Sequence, residues 1–337
     1  MKKPTSPSSK SVAAALGVSV ATISRVLTRP DLVNEETRER VLRGIDRLGY
    51  RPNLAARDLR RGQTSTVLVV VPVLASFFLD ILRGVEQAAD ERDFAVLMAN
   101  TRADPNREAT YFDQVASQRA DGIILLTGQL PPGAASSSRN LPPLVLAAEG
   151  MANSNIPTVA VDHAGGAEEA VRHLLNLGHR RIAHLAGPDS VLSAGARLSG
   201  YRKALRAARV PFDETLVHRG YFTVESGSIG MHTLLRQHRP PTAVLCANDQ
   251  MAIGAIRALA SVGLRVPEDF SVVGFDDGEL AEVYAPPLTT VRIPRFDVGY
   301  QSMMMLADLL SQKGPIRSLT LATRLVVRGT SMAPQSR

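Results

Sequence analysis

The sequence predicts two architectures in tandem. An N-terminal all-α helix-turn-helix headpiece comes first, followed by an α/β core in which two doubly wound parallel sheets form two lobes. The headpiece rests on the stretch Val12 to Leu27, which reads as two short helices with a bend, and on where the charge lies. The core rests on a change of texture at Thr64, after which short apolar runs alternate with helical segments, as in a parallel sheet flanked by helices.

Ala13, Ala14, Ala15 and Leu16 are strong helix formers, Gly17 supplies a left-handed stop, and Ser19 can cap the next helix. Ile23, Val26 and Leu27 then share one side of the second helix, leaving Val20, Ala21, Thr22, Ser24 and Arg25 for other contacts. The second helix of such a pair can lie in the DNA major groove with its N-terminal residues against base edges. Ser19, Thr22 and Ser24 are short hydroxyl residues suited to phosphates, Arg25 can reach guanine N7 and O6, and Val20 and Ala21 can meet a thymine methyl. A hairpin of this size also occurs in ordinary all-α cores. Charge separates the two readings: residues 1–63 carry 13 Lys and Arg against 6 Asp and Glu, a net of +7, whereas the remaining residues hold 26 of each sign. All of the net charge lies beside the helix pair, as expected for a polyanion partner.

At 337 residues, with 45% hydrophobic and 21% charged residues, the chain can bury two or three cores and has the make-up of a soluble globular protein. The lone Cys246 excludes an intrachain disulfide and suits a reducing cytoplasm. No apolar run approaches bilayer-spanning length, so no membrane partner is expected. Lys2 and Lys3 followed by Val12 to Ala21 imitate a secretory signal, down to the small-x-small ending Val18-Ser19-Val20-Ala21. Pro4, Pro7 and several serines break the imitation, and the apolar run continues into the amphipathic pattern of Thr22 to Leu27.

In chain order, Met1 to Ser9 is expected to be a loose basic arm. After the breaker cluster Thr28-Arg29-Pro30-Asp31, Asn34 caps a third helix with Glu35 and Glu36 in its first turn. That helix runs to about Leu48 and presents Val41, Leu42, Ile45 and Leu48 to the first two. Between Pro52 and Gly62 lies a helix too short to persist alone in water. It reads either as bare linker or as a hinge helix that orders on DNA, with Arg57 among its phosphate contacts and Leu59 wedged between base steps in the minor groove.

The core opens with a buried strand, Val67 to Val73, and a helix, Phe78 to Glu91. Next come a strand at Phe94 to Asn100, a helix from Pro105 to Gln118 capped by Asp104, and strands at Gly122 to Leu126, Leu144 to Ala148 and Thr158 to Val161, interrupted by the loop Pro131 to Ser138. A second set alternates helices at Ala164 to Leu177, Ala194 to Ala208, Thr223 to Gln237 and Asp249 to Ser261 with strands at Arg181 to Ala186, Leu216 to Gly220, Ala243 to Cys246 and Phe270 to Phe275. Leu288 to Arg292 reads as a return strand, followed by a helix from Pro294 to Leu310 and a strand near Leu321 to Val327. Two such lobes leave a cleft, because ligands of open parallel sheets bind beyond the carboxyl ends of the strands.

Over nearly its whole length the chain resembles the LacI/GalR transcription regulators. The residues that carry the resemblance are Gly17-Val18-Ser19-Val20-Ala21-Thr22-Ile23-Ser24-Arg25-Val26-Leu27, Gly49-Tyr50-Arg51-Pro52-Asn53, Ala56-Arg57-Asp58-Leu59-Arg60, Leu177-Gly178-His179-Arg180-Arg181-Ile182-Ala183, Ala247-Asn248-Asp249-Gln250-Met251-Ala252, Val266-Pro267-Glu268-Asp269, Phe275-Asp276-Asp277 and Pro287-Leu288-Thr289-Thr290. Arg139-Asn140-Leu141-Pro142-Pro143 and Gly220-Tyr221-Phe222-Thr223 look most like the cytidine-repressor branch.

The resemblance implies a homodimer on a near-palindromic double-stranded operator, a hinge helix that prises open the central minor groove, and a small-molecule effector, nucleoside or sugar. The effector would sit between lobes that resemble periplasmic sugar-binding proteins, with three crossovers near Val161, Arg292 and Leu321. The implied division is 1–50 headpiece, 51–63 hinge, 64–161 plus 293–320 first lobe, and 162–292 plus 321–337 second lobe. The implied DNA set is Ser19, Val20, Ala21, Thr22, Ser24, Arg25, Asn34, Thr37, Arg57 and Leu59. In the cleft, Phe77, Phe78 and Phe222 would flank the ligand ring, and Arg197, Asn248 and Asp276 would hydrogen-bond its polar edge. Each has a plain alternative: Phe77 or Phe78 as core, Asn248 as a helix cap only, Arg197 as a surface charge. Ala148 stands where many relatives carry an Asp or Asn that contacts a sugar, although Glu149 is adjacent. Ser8-Ser9-Lys10-Ser11 departs from the usual start of the first helix, which implies a weaker or later one. The tail from Gly329 has no leucine heptads, which argues against a coiled-coil tetramer.

Two other functions fit parts of the chain. A solute-binding protein of a transport system would share the two-lobed core, and salt-dependent DNA binding separates it from a regulator. An enzyme would need site chemistry that is missing: there is no G-x-G-x-x-G, Walker loop or G-x-S-x-G. Asp276 and Asp277 are neighbours on a strand end and point in opposite directions. His173, His179 and His184 lack metal-site spacing and are expected on surface turns or against strand ends, so no cofactor or metal is expected.

Overall fold

Ser8 and Ser11 start helix α1 (Ser9–Leu16) with a reciprocal capping box, each side-chain oxygen accepting the other's backbone N–H at 3.1 and 2.9 Å. The expected weak or late start is thereby corrected, because two serines satisfy the first-turn donors. Gly17, at φ +60°, ends the helix. Ser19 caps α2 (Val20–Thr28) by accepting the Thr22 N–H at 3.0 Å, and Asn34 caps α3 (Glu35–Arg47) by accepting the Thr37 N–H at 2.8 Å. Val12, Ala13, Ile23, Val26 and Val41 form the buried centre of this headpiece. Leu27 and Leu42, expected in that centre, are 38% and 45% exposed. Each helix turns 100° per residue, so Leu42 is carried off the face that holds Val41, and the narrow core does not reach the edge where Leu27 lies.

The computed structural model describes residues 7–50, 64–117, 119–131, 141–151, 155–312 and 315–335. The hinge segment with Arg57 and Leu59, most of the loop Pro131 to Ser138, and most of the N-terminal arm lie outside the described residues. The headpiece and the core from Ser65 onward are separate units.

In the core, β1 (Thr66–Val71), α4 (Phe77–Asp90), β2 (Ala95–Asn100), α5 (Pro105–Ala116), β3 (Gly122–Leu125), β4 (Leu144–Ala148) and β5 (Thr158–Val161) build the first lobe. The chain then crosses into α6 (His163–Asn176), β6 (Ile182–Ala186), α7 (Leu192–Ala207), β7 (Val217–Arg219), α8 (Val224–Leu235), β8 (Ala243–Cys246), α9 (Asp249–Ser261), β9 (Ser271–Asp276), the short α10 (Glu279–Val283) and β10 (Thr289–Arg292). It returns through α11 (Arg295–Leu310) and ends with β11 (Leu319–Leu321) and β12 (Arg324–Val326). The sheet orders are β11-β5-β4-β3-β1-β2 and β12-β10-β9-β8-β6-β7. Every pairing is parallel except β10 with β12.

The single strand expected near Leu321 to Val327 is therefore two. Leu319–Leu321 completes the first sheet beside β5, and Arg324–Val326 runs antiparallel beside β10 in the second. An apolar alternation reveals a strand but not its partner, so the crossing inside this run is invisible in sequence.

Glycines let three helix pairs close up. A Cβ on Gly299 of α11 would strike the Ile81 carbonyl of α4, one on Gly200 of α7 the Ala164 carbonyl of α6, and one on Gly254 of α9 the Val224 carbonyl of α8.

Two of the three histidines singled out in the sequence are buried: His179 lies against strand ends, one of the two places expected, whereas His184, in the middle of a strand, is at neither. His179 joins the second sheet to the tail, with Nδ1 2.8 Å from Thr242 Oγ1 and Nε2 2.9 Å from the Met332 carbonyl. His184 lies in the middle of β6, its Nδ1 2.9 Å from the Leu245 carbonyl and its ring stacked on Tyr201 at 5.3 Å. Burial pushes the His184 imidazole down to about 4, the Leu245 hydrogen bond opposes this, and distant arginines assist it. The unfolded chain takes up a proton near the ordinary value of about 6.5, before the folded one does. Stability is therefore full above that value and falls as pH drops toward 4. His184 alone contributes a loss on the order of 3 kcal/mol at the acid end. Urea denaturation at pH 7 and pH 4.5 should show the drop, and His184→Phe should flatten it.

Candidate functional site

The headpiece presents one polar helix end. Ser19, Val20, Ala21, Ser24 and Arg25 are exposed on and before α2, and Thr22 is half-buried. Ser19 Oγ lies 2.9 Å from Thr22 Oγ1, so the two hydroxyls sit together at the helix N-terminus. Asn34 is exposed and Thr37 half-buried at the start of α3.

The core cleft is built around Arg197 of α7. Only 4% exposed, it is no surface charge. Its Nη1 donates to the Ala247 carbonyl, and its Nη2 lies 3.4 Å from both Asp276 Oδ1 and His163 Nδ1. Its guanidinium carbon stands 4.0 Å from the Phe275 ring centroid. Strand ends explain the convergence: β8 delivers Ala247 and Asn248, β9 delivers Asp276, and α6 begins with His163 where the chain enters the lobe. Burial pushes the Asp276 carboxyl up, and the charges of Arg197 and Arg295 pull it back. Burial also raises Asp249, whose two oxygens accept from Thr290 and from the Gly278 N–H. Asp277 points the other way, as expected for its neighbour, and takes Arg292 and Arg328; burial opposes these pairs, but they hold it below the ordinary carboxylate range.

Asn248 both caps and bridges. Its Oδ1 accepts the Met251 N–H at 2.9 Å and its Nδ2 donates to the Phe222 carbonyl at 3.0 Å. Phe222 has φ +60° and lays its ring on Gly187, where a Cβ would collide with it. Phe77 and Phe78 are half-buried, meet edge to face at 5.1 Å, and pack against the hydrophobic core. Thus Arg197, Asn248, Asp276 and Phe222 come together, and Phe77 joins them through Arg295, whose guanidinium lies 5.9 Å from its ring.

Three residues, Arg295, Ser193 and His163, were missed by sequence reasoning. Arg295 ties the lobes, donating to Asp80 of α4 at 2.7 Å and to the Asp276 carbonyl at 2.7 Å. Ser193 Oγ donates to Glu149 Oε1 at 2.6 Å across the lobes. His163 is the third. Glu149, noted beside Ala148 in the sequence, was the visible signal for the Ser193 contact.

A cavity of about 460 Å³ lies elsewhere in the second lobe, lined by Ile256, Leu264, Val266, Glu268 and Pro286, and includes none of these cleft residues. Among the described residues no group of three or more His, Cys, Asp and Glu is placed to hold a metal ion. Nor is any single described helix long and apolar enough to cross a membrane; α1 and α2 have the composition together but bend by 102° at the break between them.

Residues 10–53 match the description "Bacterial regulatory proteins, lacI family", and residues 171–331 match "Periplasmic binding protein-like domain". The chain is 38% identical over 335 residues to the HTH-type transcriptional repressor CytR of Escherichia coli K12, covering 98% of each chain. It is also 38% identical over 342 residues to the HTH-type transcriptional regulator CelR of Thermobifida fusca, covering 97% of this chain and 99% of that one. The structure of the Lac repressor dimer bound to operator and the anti-inducer ONPF superposes with a TM-score of 0.74 or better, namely 0.87, at 32% identity, covering 98% of this chain and 100% of that one; 0.74 is the value for the CelR–cellobiose complex, at 36% identity, covering 96% and 99%. Such relatives do not favour the transport alternative. The helix-turn-helix front end, the two-lobed core behind it and this similarity along the full length place the chain in the LacI family of bacterial transcriptional regulators.

Proposed function

We propose that the chain acts as a homodimeric repressor whose grip on an operator is set by a neutral small molecule, a nucleoside or a sugar, held between the two core lobes. The observation that carries the effector site is the buried Arg197 cluster. A guanidinium, an amide and a carboxyl stand at the carboxyl ends of β8 and β9, with Glu149 of the first lobe reaching over them to Ser193. Such a set reads hydroxyls or the polar edge of a base.

Charge decides between neutral and anionic ligands. The field at Arg197 includes the carboxyls of Asp276, Glu149 and Asp249. These carboxyls already offset the guanidinium, so no positive charge is left over for a phosphate ester. Thermal-shift measurements on the full-length protein should therefore favour nucleosides over the matching nucleotides and sugars over sugar phosphates. A larger shift with the phosphorylated compounds would overturn the reading.

On DNA, Ser19, Thr22 and Ser24 are assigned to phosphates, Val20, Ala21 and Arg25 to base edges, and Asn34 and Thr37 to the backbone beside them. Arg57 and Leu59 are assigned to the minor groove from the sequence alone. Exposed apolar side chains at Leu74, Leu97 and Met98 in the first lobe and at Tyr221, Leu280 and Val283 in the second are surfaces that a second copy would cover. Binding selected operators by fluorescence anisotropy over a salt series should give a steep negative slope. Arg25→Ala should cost about 1–3 kcal/mol and relax preference at one base pair. Unchanged preference would make Arg25 a phosphate contact.

A further inference from the structure

Glu108 is a buried acid that the cleft described above does not use. It lies in the first turn of α5, 2% exposed, and α5 packs on β1 and β3, whose residues Thr66–Val71 and Gly122–Leu125 include no ionisable group. On its own helix, Asp104 caps the start and stands 3.9 Å from Arg107, Asp113 is exposed, and the Tyr111 hydroxyl donates to the Asn100 carbonyl at 3.3 Å.

Glu108 Oε1 lies 3.0 Å from Thr127 Oγ1, and that same Oγ1 lies 3.1 Å from the Gln129 carbonyl oxygen. A hydroxyl has one proton and a carbonyl only accepts, so both contacts are hydrogen bonds only when the Glu108 carboxyl carries a proton and donates it to Thr127. Burial agrees: it pushes this carboxyl up to about 7, opposed by the bond that Thr127 donates to the ionised form. The dipole of α5 also favours the anion, but by less than burial favours the acid.

What Thr127 holds is a wall of the cleft. β3 and β4 are parallel neighbours, so the residues that follow them, 127–129 and Glu149, stand beside each other at the carboxyl ends of the strands. Gly128, buried and at φ +72°, leaves room for the Glu149 side chain: a Cβ there would lie 2.5 Å from Glu149 Oε2. The other carboxylate oxygen, Oε1, accepts from Ser193 of the second lobe at 2.6 Å. A run of contacts thus leads from Glu108 through Thr127 and Gly128 to the acid that spans the lobes. We infer that Glu108, as a neutral acid, is a positioning residue of the effector cleft: through Thr127 it fixes the turn 127–129 that seats Glu149 for the effector. This rests on reading the cleft as the effector site. When Glu108 loses its proton, the Thr127 hydroxyl turns to the carboxylate, the Gln129 carbonyl loses its donor, and the turn no longer backs Glu149. Effector affinity then falls as pH rises through neutrality.

The test uses the full-length protein with Glu108→Gln, whose amide donates to Thr127 at every pH, and Thr127→Val, which cuts the connection. Cytidine, adenosine, D-ribose and cellobiose are the probes, and the one that raises the wild-type Tm most is titrated calorimetrically at pH 6 and pH 8. Asp249 and Asp276 are also raised by burial in the cleft, so each variant is compared with the wild type at the same pH. Glu108→Gln should keep the wild-type affinity at pH 6 and bind about tenfold more tightly than the wild type at pH 8, where only about a tenth of the wild type still holds the proton. Thr127→Val should bind more weakly than the wild type at pH 6 and match it at pH 8. The inference is overturned by the same ratio of Glu108→Gln to wild type at both pH values, or by a Thr127→Val that matches the wild type at pH 6. The Gly128 amide resonance reads the turn without ligand: it should shift with pH around neutrality in the wild type and hold still in Glu108→Gln, and like behaviour in the two proteins also overturns the inference. If no probe binds while the two amides differ, the effector reading has failed and the hold of Glu108 on the turn stands.

Discussion

Arg197→Met is expected to leave operator binding in place while abolishing its response to the effector, and to lower core stability by about 3–5 kcal/mol, the usual range when one partner of a buried charge pair is removed. Methionine fills a similar volume but supplies none of the donors now spent on the Ala247 carbonyl and on Asp276. The Asp276 side chain, already raised by burial, then loses the first of the two positive charges that oppose the rise. Its folded-state value climbs further above the unfolded one, so the folded protein holds a proton that the unfolded chain releases. For the variant, stability falls as pH rises above the ordinary carboxylate range, which makes the defect smaller at pH 5.5 than at pH 8. Urea denaturation of both proteins at these two pH values checks the sign. Asp276→Asn in the Arg197→Met background should recover part of the loss, because the stranded charge is gone. Equal destabilisation at both pH values would show that the guanidinium matters for packing alone.

Gly254→Val should be as damaging to the fold, by about 3 kcal/mol or more, and without any pH dependence. A Cβ there meets the Val224 carbonyl oxygen and, at 2.8 Å, the Ser228 backbone nitrogen, and helix backbones cannot step aside as a side chain can. The helices would have to separate along their contact, opening the interface between α8 and α9. Gly195→Ala is the matched control: nothing lies within 4 Å of its Cβ position, so it should gain up to about 1 kcal/mol from helix propensity. Thermal denaturation of the pair distinguishes close approach from a general intolerance of glycine replacement.

The elements that sequence predicts best have both a periodic pattern and a local stop signal. β8 and α9 fall at their expected bounds, because Asn248 closes a short apolar run and caps the amphipathic one that follows. What sequence does not carry is which distant segments meet. Glu149 and Ser193 are 44 positions apart and belong to different lobes, yet form one hydrogen bond. Arg295 looks like an ordinary charge at a helix start, and only the fold shows it joined to Asp80, 215 positions away. The same limit hid the interior place of His184 and the division of the last strand between sheets. In the cleft, residue type was legible at Arg197, Asn248 and Asp276 through the family resemblance. The contact of His163 with Arg197 was not, because it depends on an arginine brought to it by folding.

The pair of strands β11 and β12 decides how this fold can be divided. Since β11 pairs with β5 and β12 with β10, residues 319–326 cover one edge of each sheet. Neither lobe can therefore be excised as a contiguous fragment, and a chain cut before Leu319 would bare the edges of β5 and β10, exposed to aggregation.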